Sequence, residues 1–464
     1  VFLKNNPSFA IVENNTFGSD PNRMPDIEIR GKSSVIGLTD QFASNPNQPL
    51  FILDGFETTL KIIADLSMNR VESITILKDA SATAIYGSKA ANGVVVVETK
   101  RPAAGELRIN YSIDGSVSFA DLSDYNLMNA QEKLQFELLS GFYGLLDANG
   151  NIILGSNPQS ELNYNNRLKD VNRGVNTYWP IEPIRTSFQQ RHTLFAEGGD
   201  ANLRYSTSFN YGLTNGVMKG SDREATNGNI RLLYRKGKIS VNNSLSIDNL
   251  KANRESTPFS AFSRANPYYK KYNDDGSVRK VLEDFKALGN SSLTPIYSPL
   301  YDQSNLNVDQ EKNLGFTNNF ELEWRILESL RARGRFGLRS ASTSNVIFRS
   351  PFDVEFEGTD VLQKGSYEEG NGKSTNYDGD FSLTFGKLFS EKHMINAVAG
   401  LRMEQATTKQ STFGVSGFID DEFSNPNFAL GYVAGQKAFY QESKRRTASS
   451  FANIGYAFDQ RLLL

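Results

Sequence analysis

The chain has 464 residues and a formal net charge of −2, so it lacks the basic excess of nucleic-acid-binding proteins and no nucleic-acid partner is expected. It has no cysteine and two histidines, which excludes disulfides and cysteine nucleophiles and leaves little basis for a histidine metal centre. The longest strongly apolar run, Val94–Val97, is far shorter than the roughly 20 residues of a transmembrane helix.

The first 105 residues predict a compact α+β unit. Its predicted strands are Pro25–Arg30, Pro49–Leu53, Val71–Leu77 and Val94–Thr99. Asp54-Gly55 and Asn92-Gly93 are turn signals beside these strands. Asp79 is an expected N-cap for a helix over 80–86, and Gly87 fits the position after its last turn. The apolar run that begins at Val94 indicates a strand buried on both faces.

From Leu107 onward the chain falls into segments that alternate apolar and polar residues. The ten alternating segments are 107–119, 187–197, 203–213, 228–236, 238–249, 313–326, 330–341, 376–387, 393–404 and 446–459. A period of two predicts strands with one apolar face. Most are long enough to cross a bilayer as tilted strands, which takes about 9–11 residues.

Short and long connections alternate strictly between these predicted strands. The short ones are 198–201, 236–237, 327–329, 388–392 and 459–461, and the long ones are 120–186, 214–226, 250–312, 342–375 and 405–445. An outer-membrane barrel has tight periplasmic turns and long extracellular loops. A soluble β-sandwich is the alternative, but it has no reason to place every long loop at one end. The pattern therefore favours a transmembrane antiparallel β-barrel whose lumen holds the N-terminal α+β unit as a plug domain.

Two hairpins can be given a register from the sequence. A turn at Lys236-Gly237 pairs Tyr234 with Ile239, and Leu232 with Val241, which keeps apolar residues on one face. A turn over Leu327–Ser329 pairs Trp324 with Ala332 on the outer face.

The inner face of the second hairpin carries an arginine stripe. Its members are Arg331, Arg333, Arg335 and Arg339. The predicted register places Glu323 opposite Arg333 and Glu321 opposite Arg335. The stripe could attract anions into the lumen, but ordinary cross-strand charge pairing is the favoured interpretation.

The long loops contain one predicted helix and a few candidate binding aromatics. Asn129 and Glu132 form a capping box for a helix through Leu139. Its apolar side chains could pack on the barrel rim, which is favoured, or meet a partner protein. The candidate substrate-binding residues are Tyr178, Trp179, Tyr268, Tyr269 and Tyr272. The alternative for these rings is loop packing or an interfacial aromatic girdle.

Motifs for catalysis or cofactor binding are absent from the sequence. Gly372-Lys373-Ser374 ends like a phosphate-binding loop, but Tyr367 stands where the first glycine is required. Asp147 begins a calcium-like loop, yet Ile152 occupies its glycine position. We therefore expect no catalytic residues, no metal and no cofactor.

The first hundred residues also resemble a known family. The segments that carry the resemblance are Leu77–Ser88 (LKDASATAIYGS), Ala91–Val95 (ANGVV), Pro49–Gly55 (PLFILDG) and Asp26–Gly31 (DIEIRG). Together they resemble the plug signature of SusC/RagA-like TonB-dependent transporters. The plug-signature residues are Asp54, Gly55, Lys78, Asp79, Tyr86, Gly87, Asn92 and Gly93.

This resemblance implies a barrel of about 22 strands in the outer membrane of Bacteroidetes-type bacteria. It implies TonB-dependent import of an oligosaccharide or oligopeptide, together with a SusD-like surface lipoprotein. TonB would contact a segment upstream of this chain, and transporter–lipoprotein pairs could dimerise within the lipid bilayer. The alternative is a β-rich surface protein that binds glycans without transporting them.

The number of predicted strands suggests a partial chain. A barrel of ten strands is too narrow for a plug of this size, and an open sheet would leave unpaired backbone edges in lipid. We therefore expect residues 1–105 to be a plug domain without its N-terminal part. Residues 106–464 are expected to be the first part of the barrel.

Overall fold

A computed structural model describes residues 10–12, 20–22, 26–28, 48–66, 70–78, 90–151, 153, 158–285, 293–459 and 462–463. Within the first hundred residues, the elements in chain order are β1 (Ala10–Val12), β2 (Asp26–Glu28), β3 (Leu50–Leu53), β4 (Phe56–Thr58), α1 (Leu60–Asp65), β5 (Val71–Leu77) and β6 (Val94–Thr99). β1 pairs with β2, and the other four strands form a sheet in the order β4-β3-β6-β5.

The plug sheet is built around its central strand β6, which pairs with β3 in parallel and with β5 antiparallel. Val94, Val95 and Val97 of this strand are fully buried. Phe51 on β3 and Ile63 on α1 pack in the same core as Val95 and Val97. The apolar run predicted to be buried on both faces is therefore the centre of the plug.

The rest of the chain forms one large antiparallel sheet with loop elements beside it. Its strands in chain order are β7 (Gly105–Ser118), β8 (Ser187–Gly199), β9 (Leu203–Asn215), β10 (Asp222–Lys236), β11 (Ile239–Asn253), β12 (Val281–Phe285), β13 (Thr294–Tyr297), β14 (Val308–Leu327), β15 (Leu330–Arg349), β16 (Ser366–Phe389), β17 (His393–Ser416), β18 (Gly431–Tyr432), β19 (Phe439–Phe458) and β20 (Leu462–Leu463). The loop helices are α2 (Ala130–Leu139), α3 (Pro158–Asn172), α4 (Phe259–Arg264) and α5 (Pro299–Ser304). Short 3₁₀ turns occupy Trp179–Ile181, Val354–Phe356, Val361–Gln363 and Pro426–Phe428.

Along the large sheet each long strand pairs with the next long strand of the chain, from β7 to β20. β12 and β13 form a separate hairpin, and β18 pairs beside β17. Each of the ten predicted strands corresponds to one of these long strands, although residues 119, 238 and 459 lie just outside them. This up-and-down order is that of a barrel wall.

Several strands run well beyond the predicted ends, which corrects three predicted loops. In the predicted loop 405–445, residues 405–416 belong to β17 and residues 439–445 to β19. Residues 342–349 belong to β15 and residues 366–375 to β16, so only 350–365 of the predicted loop 342–375 connect them. Most of 214–226 is likewise strand. β16 and β17 have 24 residues each, more than twice the length that crosses a bilayer. Their outer parts carry polar residues on both faces, so the apolar period that marks a strand in lipid is missing there.

The two predicted hairpin registers have different outcomes. The prediction around Lys236 is wrong by two residues, because Tyr234 pairs with Val241 and Lys236 with Ile239. Gly237, at φ 56°, is the first residue of a Gly237-Lys238 turn. An even shift leaves every side chain on its predicted face. The pairing of Trp324 with Ala332, and of both glutamates with their arginines, is confirmed.

The wall reverses the side-chain exposure of a soluble protein. Many of its apolar side chains are exposed, and polar side chains beside them are buried. On β7, Ile109 and Ile113 are 66% and 61% exposed. On β9, Phe209 is half exposed while Ser208 and Asn210 beside it are buried. Apolar side chains that face outward, opposite polar ones that face the plug, form the lipid-facing surface of a transmembrane barrel. In the described ranges, no helix combines the length and apolar character needed to cross a membrane.

Candidate functional site at the plug and barrel wall

The Asp54-Gly55 turn forms the tip of the plug hairpin between β3 and β4. Asp54 and Gly55 both have positive φ, at 50° and 88°. Two consecutive positive φ values are the requirement of a type I′ turn, which fits the right-handed twist of the strands. In this hairpin Leu53 pairs with Phe56 and Phe51 with Thr58. The predicted turn is therefore confirmed, and it projects the Asp54 side chain toward the end of β6.

Asp54 connects the plug to the barrel wall through Thr99. The Asp54 carboxylate accepts hydrogen bonds from the backbone nitrogen of Thr99, at 2.8 Å, and from its hydroxyl, at 2.6 Å. Arg231 on β10 donates from Nη1 to the same hydroxyl at 2.7 Å, and this nitrogen is 3.5 Å from Asp54 Oδ2. Arg231 is buried, and its Nε donates to Asn242 on β11. The guanidinium is therefore held by the wall while it contacts the plug.

A second part of the wall holds the same hairpin by its backbone. Arg335 on β15 donates from Nη1 to the Gly55 carbonyl at 3.2 Å, and Arg339 donates to the Glu57 carbonyl. Arg335 also donates from Nε to Asp380 on β16 at 2.8 Å, which fixes its direction. We call the contacts of Arg231, Arg335 and Arg339 with the hairpin the plug–wall contacts.

The arginine stripe therefore serves two purposes. Arg333 lies 2.5 Å from Glu321 and Arg331 lies 3.7 Å from Glu323. Cross-strand charge pairing is therefore present, as favoured, but each glutamate pairs with a diagonal arginine and not with the one opposite it in the register. Arg335 pairs with Asp380 across the strands and also contacts the plug, and Arg339 contacts the plug as well. Neither sequence interpretation anticipated the plug contacts.

A polar cavity of about 940 Å³ separates the plug sheet from strands β7 to β10. Thr99 and Arg231 lie at its border, and the wall contributes small polar side chains such as Ser112, Thr193 and Ser206. The cavity adjoins the plug–wall contacts, so a shift of the hairpin would change its shape.

The other plug-signature residues have separate positions. Gly93 has φ 92° and its carbonyl accepts from Leu50 at 3.0 Å. Asn92 donates from its amide to the Gln48 carbonyl, and Lys78 is exposed. Asp79, Tyr86 and Gly87, together with the helix predicted over 80–86, lie outside the described residues. The structure thus brings Asp54 and Gly55 to the wall, and keeps Asn92 and Gly93 at the turn into β6.

A second cluster ties the long loops together around Arg167 of α3. Its guanidinium lies between Glu137 of α2, at 3.0 Å, and Glu283 of β12. The side chains of Arg167 and Glu137 are 4% and 7% exposed. Three phenols complete the cluster: Tyr143 and Tyr268 donate to Glu137, and Tyr269 donates to Glu283. We call this set the loop cluster.

Burial raises the pKa of Tyr143, Tyr268 and Tyr269 well above the ordinary value, so these phenols stay protonated and remain donors. The Arg167 guanidinium also lies 4.6 Å from the centre of the Tyr268 ring. The cluster therefore has its donors and acceptors matched inside a buried site.

The prediction that Trp179, Tyr268 and Tyr269 bind substrate is wrong, because these three residues are packed inside the loops. Trp179, Tyr268 and Tyr269 are 5% exposed or less, so they have no ring face available to a ligand. The Trp179 indole nitrogen donates to the Asn266 carbonyl at 2.9 Å. Loop packing, the alternative interpretation, describes these rings. Tyr178 and Tyr272 remain exposed.

The predicted loop helix is confirmed with its capping box. Asn129 accepts from the Glu132 backbone at 2.9 Å, and Glu132 accepts from the Asn129 backbone at 3.0 Å. Leu134 is buried, whereas Phe136 and Leu139 are exposed. Among the residues that the structure describes, no group of three or more His, Cys, Asp or Glu side chains could hold a metal ion.

Sequence reasoning missed Thr99, Arg231 and Arg167 as important residues. Arg231 carried a weak signal, since it is a charged side chain on the inner face of a predicted strand. Thr99 and Arg167 carried none, because their partners are up to 132 residues away in the chain.

Comparison with known proteins agrees with this architecture. Residues 2–94 match the model of the TonB-dependent Receptor Plug Domain. TonB-dependent receptor SusC of Bacteroides thetaiotaomicron is 33% identical over 203 residues, which is 42% of this chain and 17% of that protein. TonB-dependent receptor P3 of Formosa agariphila is 24% identical over 463 residues, 96% of this chain and 40% of that protein.

Solved structures show the same fold. The RagAB peptide importer in its closed-closed state superposes with a TM-score of 0.77 at 19% identity, over 98% of this chain and 51% of that chain. The ferric citrate transporter FecA superposes with a TM-score of 0.54 at 9% identity, over 97% of this chain and 50% of that chain. The chain spans about half or less of the length of these relatives.

A plug domain held against a large antiparallel wall is the architecture of TonB-dependent receptors, which this chain resembles. Among such receptors, the chain is similar to TonB-dependent receptor SusC in sequence and to the RagAB peptide importer in fold.

Proposed function

We propose that the protein imports a nutrient across the outer membrane by TonB-dependent active transport, with the plug–wall contacts as the closure that must open. The observation that carries this proposal is the Arg231–Thr99–Asp54 chain of hydrogen bonds between wall and plug. Such bonds lose their strength over about an ångström of extra separation. A force on the plug could therefore break them one after another.

The place of opening follows from the cavity beside the plug. Withdrawal of the Asp54-Gly55 hairpin would join the cavity of about 940 Å³ to the lumen beyond it. TonB is the proposed source of the force, acting on a segment upstream of the plug, as the family resemblance implies.

The proposed partner on the loop side is a SusD-like lipoprotein. Exposed apolar side chains on the long loops, such as Phe136 and Leu139, support a protein contact there. Tyr178 and Tyr272 remain the candidate substrate contacts, because their rings are exposed on these loops. The substrate is an oligosaccharide or an oligopeptide. A dimer of transporter–lipoprotein pairs belongs to the same proposal.

The alternative is a β-rich surface protein that binds glycans without transporting them. It would need no separable plug, so the two proposals differ in whether the plug must move. The proposal assigns no catalytic residue, because the relatives are named as receptors and transporters.

A reversible crosslink across the plug–wall contacts tests the proposal. This chain lacks cysteine. A Thr99→Cys/Arg231→Cys pair introduced into the full-length protein, with any cysteine outside this chain replaced by serine, can be bridged by a cleavable bis-thiol reagent. Cells that depend on this protein should lose uptake of a labelled oligosaccharide or peptide pool, and recover it when the bridge is reduced. The single-cysteine variants treated alike are the controls. Unchanged uptake with a complete crosslink would reject plug movement and favour the alternative.

A further inference from the structure

A pocket at the tight-turn end of the wall contains an excess of basic side chains. It has a volume of about 360 Å³ and lies between the β10–β11 and β14–β15 hairpins and the connection from plug to wall. Its basic residues are Arg101, Arg231, Arg235, Lys238, Arg325 and Arg333. Glu321 and Glu323 are its acidic residues. The lining therefore carries six positive and two negative charges, a net charge of +4.

The two carboxylates are already engaged. Glu321 pairs with Arg333 at 2.5 Å, and Glu323 faces Arg331, which lies outside the pocket, at 3.7 Å. In the described part of the chain, the side chains of Arg101, Arg235 and Arg325 form no ion pair. These three exposed arginines therefore line one pocket without a counter-charge from the described residues.

We propose that this basic pocket binds an oxyanion, namely a carboxylate, sulfate or phosphate group. A guanidinium presents a planar pair of donors that matches two oxygens of such a group. Like charges in a cleft repel one another, and the field concentrates there. An anion relieves this repulsion and accepts hydrogen bonds from several arginines at once.

The pocket is distinct from the plug–wall contacts, although Arg231 borders both. Arg231 is occupied by Thr99 and Asn242. The anion is therefore assigned to Arg101, Arg235 and Arg325. This assignment is independent of whether the protein transports a nutrient.

Binding of inorganic phosphate to the full-length protein in detergent tests the proposal. We expect saturable broadening of the phosphorus NMR signal at constant ionic strength, set with chloride. The triple variant Arg101→Gln/Arg235→Gln/Arg325→Gln should weaken the affinity at least about tenfold, since each lost charge-assisted contact reduces binding. The matched control, Lys437→Gln/Lys444→Gln/Arg445→Gln, removes the same charge from exposed positions and should bind as the parent protein does.

Two further measurements keep the test decisive. The triple arginine-to-lysine variant retains the charge but not the planar donor pair of a guanidinium, so its phosphate affinity should fall between those of the parent protein and the triple glutamine variant. Heat-modifiable migration on a gel should show that each variant is folded. A polyglutamate peptide and an oligogalacturonate then compete with phosphate, and the stronger competitor identifies the source of the oxyanion as protein or sugar. Absent saturation in the parent protein, or equal loss in both triple glutamine variants, would overturn the proposal.

Discussion

The loop cluster and the plug–wall contacts both use arginine to join distant segments, but they surround the arginine differently. Arg167 lies between two carboxylates and against aromatic rings, and all its partners are buried with it. Arg231, Arg335 and Arg339 reach the plug through one hydroxyl and two backbone carbonyls. Opening the loop cluster therefore separates a buried cation from two carboxylates. Opening the plug–wall contacts separates mainly hydroxyl and carbonyl acceptors that water can replace, together with the 3.5 Å contact between Arg231 and Asp54.

This difference matches the two tasks that the proposed function sets. The loops must keep one arrangement while substrate is captured, and a buried ion pair is costly to break from one side. The plug must leave the wall and return, so contacts of moderate strength are suitable. Four predictions test this comparison, in decreasing order of expected effect.

Replacing Arg167 with methionine should have the largest effect. It leaves Glu283 without its cation and leaves Glu137 with Lys133 alone, at 3.2 Å. Breaking a buried ion pair from one side costs about 3–5 kcal/mol. We expect the loops of residues 120–186 and 250–312 to become sensitive to limited proteolysis and the melting temperature to fall. The control Arg173→Met removes an exposed arginine from the end of the same helical region. Equal proteolysis of the two variants would show that the loop cluster has no specific role in holding the loops together.

Replacing Thr99 with valine should weaken the plug–wall contacts without changing side-chain shape. Asp54 loses a donor and Arg231 loses an acceptor, at a cost of about 1–3 kcal/mol. Hydrogen exchange in β3, β4 and β6 should accelerate while the loops stay protected. Thr58→Val is the matched control, because Thr58 is also buried on the plug sheet and its hydroxyl makes no hydrogen bond in the described residues. Similar exchange in both variants would contradict a specific role for Thr99.

Two arginine-to-glutamine substitutions on β15 should have different effects on the stability of the plug hairpin, although the chemical change is the same. Arg335→Gln removes the donor to the Gly55 carbonyl and the partner of Asp380, which should cost about 1 kcal/mol and loosen the hairpin tip. Arg331→Gln removes an exposed arginine 3.7 Å from its glutamate, a pair that should contribute little. Hydrogen exchange of residues 53–57 should separate the two. An equal response would mean that general charge in the lumen, and not contact, holds the plug.

A smaller effect is expected from pH at the loops. Burial, and next the neighbouring Asp353, raise the pKa of Asp302 to about 6. A carboxyl whose pKa is raised in the folded state binds more protons than it does in the unfolded chain, so stability falls as pH rises from about 4 to 6. The groups that face Asp302 are Asp353, Glu355, Lys280 and the backbone of Val354.

We therefore expect the segment 350–365 to exchange hydrogen faster at pH 7 than at pH 4.5, beyond the intrinsic rate difference. Asp302→Asn should reduce this pH dependence, and Asp274→Asn, at an exposed loop position, should leave it unchanged. If the Asp302 variant retains the full dependence, Glu355 or another group is responsible, because burial also raises the pKa of Glu355.

Much of the fold could be predicted because each face of a strand meets one environment. The alternation around Phe209 and Trp324 records lipid on one side and polar surroundings on the other, and the Asp54-Gly55 turn is encoded by residues that tolerate positive φ. The strand ends could not be predicted, because β16 leaves the bilayer near the middle of its length and its period disappears. The Gly237-Lys238 register failed for a related reason: a shift of two residues preserves every face, so the pattern does not distinguish the two registers.

Local periodicity and turn chemistry suffice to predict a plug followed by a barrel wall, because they require no knowledge of distant residues. The folded structure is needed to show which arginines hold the plug and which hold the loops. Arg231, Arg167 and Arg339 look alike in the sequence, whereas their partners are a hydroxyl, two carboxylates and a backbone carbonyl far away in the chain. A carbonyl is present at every residue, so no pattern of side chains could have identified the one that Arg339 contacts.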